Sequence, residues 1–168
     1  AGVKAYWKNI LPPALTSLGT CSSAACVPIN IESTKKMGVP ADIAEATISL
    51  GTSFHKDGSA IGSVFKIMFL VCFFGTPLNS LGSIGQVLGV SLIATLLVTA
   101  VPIGGGTISE MLILTLMGYP VAALPILTIV ATVIDAPATL LNVVGDSSCA
   151  LLVTRTVEGK KGLKVKKV

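Results

Sequence analysis

Charge is what this sequence has least of. Only 12% of its 168 residues are Asp, Glu, Lys or Arg, against roughly 25% in an average soluble domain. Too few charges exist to coat a water-soluble enzyme. With 52% hydrophobic residues and a mean hydropathy of +0.85, the chain is not disordered either. The same balance excludes a nucleic-acid-binding module, despite a net charge of +4. Histidine occurs once, and the four cysteines (Cys21, Cys26, Cys72, Cys149) have no metal-ligand spacing. They sit among Ser, Ala and Val, where cysteine acts as a small apolar residue, which argues against a zinc site or a disulfide framework.

The gaps in charge are placed as tellingly as they are numerous. No basic residue falls between Lys66 and Arg155, and that stretch carries three acids only, Glu110, Asp135 and Asp146. A run of this kind reads as membrane-embedded. The chain opens on alanine with no signal peptide before it, so a piece of a longer protein is expected.

What is present is a set of four apolar stretches, each interrupted. Residues 10–31 contain Pro12, Pro13 and the small polar cluster at 20–25. Residues 44–74 contain His55, Lys56, Asp57 and Gly58. Residues 84–117 contain Pro102 and Gly104, Gly105 and Gly106. Residues 121–153 contain Asp135, Pro137, Asn142, Gly145 and Asp146. Non-helical backbone survives in lipid only where protein buries it or where it lines a cavity. Interrupted segments in corresponding positions point to a transporter binding site. The two halves share an order, a broken hairpin and then a helix with polar residues at its centre. Val27-Pro28-Ile29 in the first break answers Val101-Pro102-Ile103 in the second.

The expected fold is therefore all-α and membrane-integral: two re-entrant helical hairpins, each followed by a broken transmembrane helix, as an inverted repeat. The expected segments are a hairpin at about 9–34, a helix at about 41–75, a hairpin at about 84–117 and a helix at about 121–154. Together they make a transport-domain half over 1–154, with a basic tail at 155–168. Lysines flank the first hairpin and six basic residues crowd the tail, which by the positive-inside rule puts both on the cytoplasmic side.

Ionisable groups in such segments cost roughly 2.5 to 3.5 kcal/mol each on insertion scales and are functional candidates by default. Four acids qualify, Asp57, Glu110, Asp135 and Asp146, with His55 and Lys56 beside the first. Asp135, Thr139, Asn142 and Asp146 are spaced by 4, 3 and 4 residues, which on a helix is one face. Carboxylates and amide oxygens suit a hard cation such as Na⁺, and a carboxylate suits a substrate ammonium. The serine tip at Ser22 and Ser23 and the second tip from Val101 to Gly106 offer helix ends to a substrate carboxylate.

At these residues the chain resembles the dicarboxylate/amino acid:cation symporter family, the glutamate-transporter-like proteins. The pieces that carry the resemblance are TCSSAACVP at 20–28, LGTSFHKDGSA at 50–60, AVPIGGG at 100–106 and DAPATLLNVVGD at 135–146. It covers essentially the whole chain but only the C-terminal part of the family fold, without the helices used for trimerisation. The resemblance implies elevator-type symport of a small amino acid or carboxylate with Na⁺, H⁺ or both. The small-molecule substrate would be held by Ser22, Ser23, Ser59, Val101, Gly104, Asp135, Thr139 and Asn142. Gly51, His55, Asn142 and Asp146 match one cation site, and Asp57 contributes to another beside Lys56. Asp57, Asn142 and Asp146 would be the Na⁺ ligands. No cofactor beyond the coupling ion is implied. The partners implied are the lipid bilayer, a bacterial inner membrane, and two further copies in a homotrimer.

Departures from the family pattern shape the substrate expectation. Acidic-substrate members carry an arginine just before the threonine equivalent to Thr139, where this chain has Ala138. A side-chain carboxylate would then lack a bidentate partner, which favours a neutral amino acid. The alternative is an acidic amino acid or dicarboxylate served by His55 or Lys56. The family's Asn-Met-Asp-Gly-Thr is His55-Lys56-Asp57-Gly58-Ser59 here, so Lys56 puts an ammonium where a sulfur would meet Na⁺. The second tip also has its glycines after the proline rather than before it. A different class, a membrane enzyme using Asp135, Asp146 and His55 as acid and base, lacks any nucleophile–base pair or metal-ligand spacing to support it.

Overall fold

The computed structural model describes residues 2–99 and 105–159, and among them every regular element is helical. In chain order these are α1 (Gly2–Thr20), α2 (Ser23–Lys36), α3 (Ala41–Phe54), α4 (Asp57–Phe74), α5 (Leu81–Thr99), α6 (Gly105–Met117) and α7 (Leu124–Val157), with one 3₁₀ turn at Val121–Ala123. The stretches Ala41–Phe74 and Val121–Val157 are long and apolar enough to cross a membrane.

The described residues form two compact units. One takes its residues from Ala1–Asp57 and Thr139–Val168, the other is Gly58–Ala138. In the first, α1 packs on α2 and α2 on α3, around a small core of Val39, Ala44, Ile48 and Ala150. In the second, α5 packs on α6, and the core includes Ile67, Leu70, Ile113, Leu114 and Leu127, none of them exposed. Large apolar side chains elsewhere stay exposed, among them Trp7, Phe54, Phe65, Leu96 and Val133. A water-soluble fold would not leave so many uncovered.

The turn between α1 and α2 is built by its small polar residues. Cys21 takes a left-handed φ of 49°, and Ser22 is extended and caps α2, its Oγ accepting from the Ala25 N–H at 3.3 Å. Such a cap contributes about 1 kcal/mol. Pro12 and Pro13, expected to break the first stretch, lie inside α1 instead. A proline removes one ladder bond, and the helical residues on both sides carry the helix past it. The second helix ends at Gly38, whose φ of 100° suits only glycine and lets the Val39 N–H reach back to the Thr34 carbonyl.

The stretch 41–75 is broken as expected. The ladder of α3 stops at His55, whose φ and ψ of −89° and 91° leave the helical region, and α4 restarts at Asp57. The last stretch differs from expectation. Residues Asp135, Pro137, Asn142, Gly145 and Asp146 all lie within one uninterrupted helix, α7. Polar side chains project sideways from a helix and leave its backbone bonds intact, and one proline costs it a single donor. The residues between α5 and α6, including Pro102 and Gly104, fall outside the described residues.

A polar clamp ties α2 to α7. Asn30, 1% exposed, donates from Nδ2 to the Val143 carbonyl at 3.0 Å and accepts from Ser147 Oγ at 2.6 Å. Thr34 Oγ1 donates to Ser147 Oγ at 3.3 Å. In an apolar setting, removing one member strands the others at about 1–3 kcal/mol per orphaned group. Asn30→Ala should therefore lower the thermal unfolding midpoint of the detergent-solubilised chain clearly. Thr16→Val, at an exposed hydroxyl bonded to its own helix, should leave it nearly unchanged.

Candidate functional site

The first unit gathers a carboxylate, an imidazole and two glycines at the break between α3 and α4. Asp146 arrives from the middle of α7 and is 1% exposed. His55 arrives from the end of α3, and its Nδ1 lies 3.2 Å from Asp146 Oδ1 and 3.9 Å from Asp57 Oδ1. The imidazole therefore stands between two carboxylates, one sealed and one with its side chain 49% exposed. The 3.2 Å contact is not aligned as a hydrogen bond. Both Asp146 oxygens and His55 Nδ1 are buried without a hydrogen-bond partner.

Two glycines make that approach possible. A Cβ on Gly51 would collide with the Asp146 carboxylate, coming within 2.9 Å of Cγ and closer still to Oδ1. A Cβ on Gly145 would collide with the His55 ring at Cε1 and stand 3.2 Å from Nδ1. Each glycine is thus the floor on which a charged or polar group of another element rests. The backbone N–H of His55 still bonds the Gly51 carbonyl at 2.8 Å, so the α3 ladder holds up to the break. Asn142, one turn before Asp146 on α7, is 2% exposed and lies in the same unit.

Of the expected cation residues, Gly51, His55, Asp57 and Asp146 meet at one place. Lys56 follows His55 in the break and is partly buried, within the electrostatic field of Asp146. The expected substrate residues are divided. Ser22, Ser23, Thr139 and Asn142 belong to the first unit, Ser59 and Asp135 to the second, and Val101 and Gly104 lie outside the described residues. The spacing along α7 still puts Asp135, Thr139, Asn142 and Asp146 within roughly 60° of one another around the helix at 3.6 residues per turn. The Ser22 Oγ accepts from the Ala25 N–H as the cap of α2 and keeps its own O–H to donate, while the Ser22 N–H is bonded to Thr20 Oγ1 at 3.3 Å.

Sequence reasoning passed over Asn30, Thr34, Ser147 and the role of Gly145. A signal for the clamp did exist. Asn30 and Thr34 are polar and four residues apart, the spacing of one helix face.

Comparison with known proteins decides the family. The family model described as the sodium:dicarboxylate symporter family matches residues 2–156. The chain belongs to the sodium:dicarboxylate symporter family. Its relatives include an excitatory amino acid transporter of Caenorhabditis elegans, 30% identical over 152 residues, covering 88% of this chain and 29% of the relative. They include the human neutral amino acid transporter A, 29% identical over 140 residues, with 83% of this chain and 26% of the relative covered. They also include the L-cystine uptake protein TcyP of Bacillus licheniformis, 30% identical over 152 residues, with 89% and 32% covered. The chain thus spans 26% to 32% of the length of these relatives. No solved structure gives a significant match. Membership of a symporter family, with relatives named as transporters, sets aside the membrane-enzyme alternative.

The glycine floors can be tested directly. Gly51→Ala and Gly145→Ala should each destabilise the chain by about 1–3 kcal/mol through overpacking, seen as lower unfolding midpoints in detergent. Gly89→Ala, in α5 with open space where its Cβ would stand, should hold the midpoint or raise it by the equivalent of about 0.4–1 kcal/mol.

Proposed function

We propose that this chain is the transport-domain half of a cation-coupled symporter of small amino acids or carboxylates. The observation that carries the reading is the sealed Asp146 carboxylate, with both oxygens short of a hydrogen bond in a chain of the sodium:dicarboxylate symporter family. A buried carboxylate without hydrogen bonds costs several kcal/mol, and a bound cation offsets that cost. Asp146, Asn142, Gly51 and His55 would hold one cation, and Asp57 would contribute to a second, with Na⁺ as cargo. Oxygen ligands of this type suit a hard ion.

The substrate would be held along the α7 stripe, its ammonium at Asp135 and its polar groups at Thr139 and Asn142, with Ser59 near them. The carboxylate would meet backbone and hydroxyl groups of the Ser22–Ser23 tip. Val101 and Gly104 would close over it. The two helix pairs α1–α2 and α5–α6 would enter the bilayer as re-entrant hairpins. Transport would proceed by elevator movement, and the complete protein would assemble as a homotrimer in a bacterial inner membrane, with the basic tail at 155–168 in the cytoplasm. The scaffold would come from segments that the relatives possess beyond the third of their length matched here. Ala138, standing where acidic-substrate members carry arginine, favours a neutral amino acid. Relatives named for neutral amino acids and for cystine agree with that choice. More of the relatives are named for excitatory amino acids, which keeps the acidic alternative open to the test.

The test is uptake into liposomes by the complete transporter, with Na⁺ and proton gradients imposed separately. Asp146→Asn should abolish gradient-driven uptake while leaving expression normal. Unimpaired uptake by that variant would remove the reading. Neutral amino acids should compete better than aspartate, and Ala138→Arg should reverse the order. The 168-residue chain alone should transport poorly or not at all, because its polar stripes need covering helices.

Lys56 carries a further expectation. An ammonium close to Asp57 and Asp146 can supply charge that a bound Na⁺ would otherwise bring. Two unit charges a few ångströms apart interact by on the order of 4 kcal/mol at an effective dielectric near 20. Uptake should therefore depend only weakly on external Na⁺ at fixed pH, and Lys56→Met should steepen that dependence. A steep dependence in the parent, unchanged by Lys56→Met, would show that Lys56 does not replace an ion.

A further inference from the structure

Helix α1 turns a continuous face away from the rest of the first unit. Trp7, Leu11, Leu15 and Leu18 are all exposed, Trp7 at 69%, and Lys4 and Lys8 are exposed with them. At 3.6 residues per turn these six positions fall within an arc of about 100°. The opposite side of the helix is covered. Ile10, Pro13 and Ser17 are buried there, and Tyr6 reaches Ser148 of α7 at 3.1 Å.

The exposed face is graded along the helix. Its two lysines and its tryptophan come first, and leucines alone follow on that arc. From Lys8 to Leu18 the helix rises about 15 Å, the depth of one leaflet of a hydrocarbon core about 30 Å thick. The chain turns back at Cys21 and Ser22, just past that depth. Tryptophan settles at the level of lipid headgroups, and a lysine stem lies along apolar surface with its ammonium in water. The order of ammonium, indole and alkyl side chains matches a phospholipid followed from its phosphate to its acyl end.

Cations are in excess at this end of the unit. Helix α1 packs on α2 across a short turn, so the start of α1 and the end of α2 lie together. There Glu45 takes Lys35 at 2.5 Å and Glu32 takes Lys36 at 2.6 Å. Helix α1 carries no acid of its own. Asn30 meets residue 143 and Thr34 meets Ser147, so α2 and α7 run the same way and Arg155 belongs to the same end. Arg155 is exposed and stands two turns beyond Ser148, about 10 Å along the axis. Asp42 and Glu158 are the other acids here. Among the described residues no ion pair involves Lys4, Lys8 or Arg155.

We propose that the outer face of α1 is a binding surface for an anionic phospholipid. The phosphate rests between Lys4 and Lys8, which are neighbours one turn apart, and Arg155 adds to the attraction. Trp7 lies at the level of the glycerol, and an acyl chain follows Leu11, Leu15 and Leu18. A packed protein helix is the poorer occupant. It would take two lysines out of water on a face that has no acid for them, at a high desolvation cost. The assignment rests on the surface of α1 and not on the ion at Asp146 or on the transport reading.

The test uses the complete transporter in nanodiscs of mixed phosphatidylcholine and phosphatidylglycerol, with bromine on the acyl chains of one lipid or the other. Quenching at Trp7 is read as the fluorescence difference between the parent and Trp7→Phe. Brominated phosphatidylglycerol should quench Trp7 at a lower mole fraction than brominated phosphatidylcholine. Lys4→Gln and Lys8→Gln should each raise the mole fraction needed about fivefold, and high salt should weaken the preference in the parent. Absence of quenching by either lipid means that protein covers the face, and overturns the proposal. Equal quenching by both lipids, or a preference that both lysine substitutions leave intact, overturns it as well. Should the lysine variants fail to fold, a parent preference unmoved by high salt has the same force.

Discussion

A carboxylate with no hydrogen bond to either oxygen, enclosed by packed helices, sets the terms for the first unit of this molecule. Asp146 is 1% exposed, and nothing in its protein surroundings offers a well-aligned donor. Such a group cannot be a by-product of packing, since a leucine there would be several kcal/mol cheaper. Its neighbours are chosen accordingly. Gly51 gives up its side chain so that the carboxylate fits against α3, and Gly145 gives up its own so that the His55 ring fits against α7. The helix break at His55–Lys56 opens the backbone at the same level. Each of these features weakens the fold locally, and each makes room at one point.

The loss is offset by polar contacts that bind the same elements together. Asn30 joins α2 to α7 through both ends of its amide, one of them on Ser147, the residue after Asp146. Tyr6 of α1 reaches Ser148 at 3.1 Å. In lipid, apolar surface gives helices no reason to prefer one another over acyl chains, so interhelical hydrogen bonds and close packing of small residues hold the arrangement.

The second unit solves a similar problem with a different device. Its buried acid is not left short of partners, because the Thr128 hydroxyl donates to Glu110. The two buried carboxyls thus illustrate two ways of keeping an acid in an apolar interior. One stands beside an imidazole, and the other beside a hydroxyl. The difference lies in what stands opposite, a ring and two glycine backbones in the first case and a threonine in the second.

Much of this was legible in the residues themselves. The scarcity of charge, the long stretch without lysine or arginine and the apolar runs specify helices in a membrane, because backbone polar groups there have no partners but their own helix. The quoted motifs specify the family, and the family model agrees. Local chemistry also specified the breaks at Cys21–Ser22 and at His55–Lys56, where caps and extended backbone end a helix. The proline and aspartate signals in 121–154 misled, because a helix 34 residues long has enough ladder bonds to absorb one missing donor. Tertiary structure alone decided that Gly51 and Gly145 are floors beneath Asp146 and His55. It alone decided that Asn30 clamps α2 to α7, and that Glu110 meets a hydroxyl rather than a cation. Spacing along a chain reports which residues share a helix face. Which group stands across from them depends on how helices far apart in sequence pack, and on that the order of residues carries no local mark.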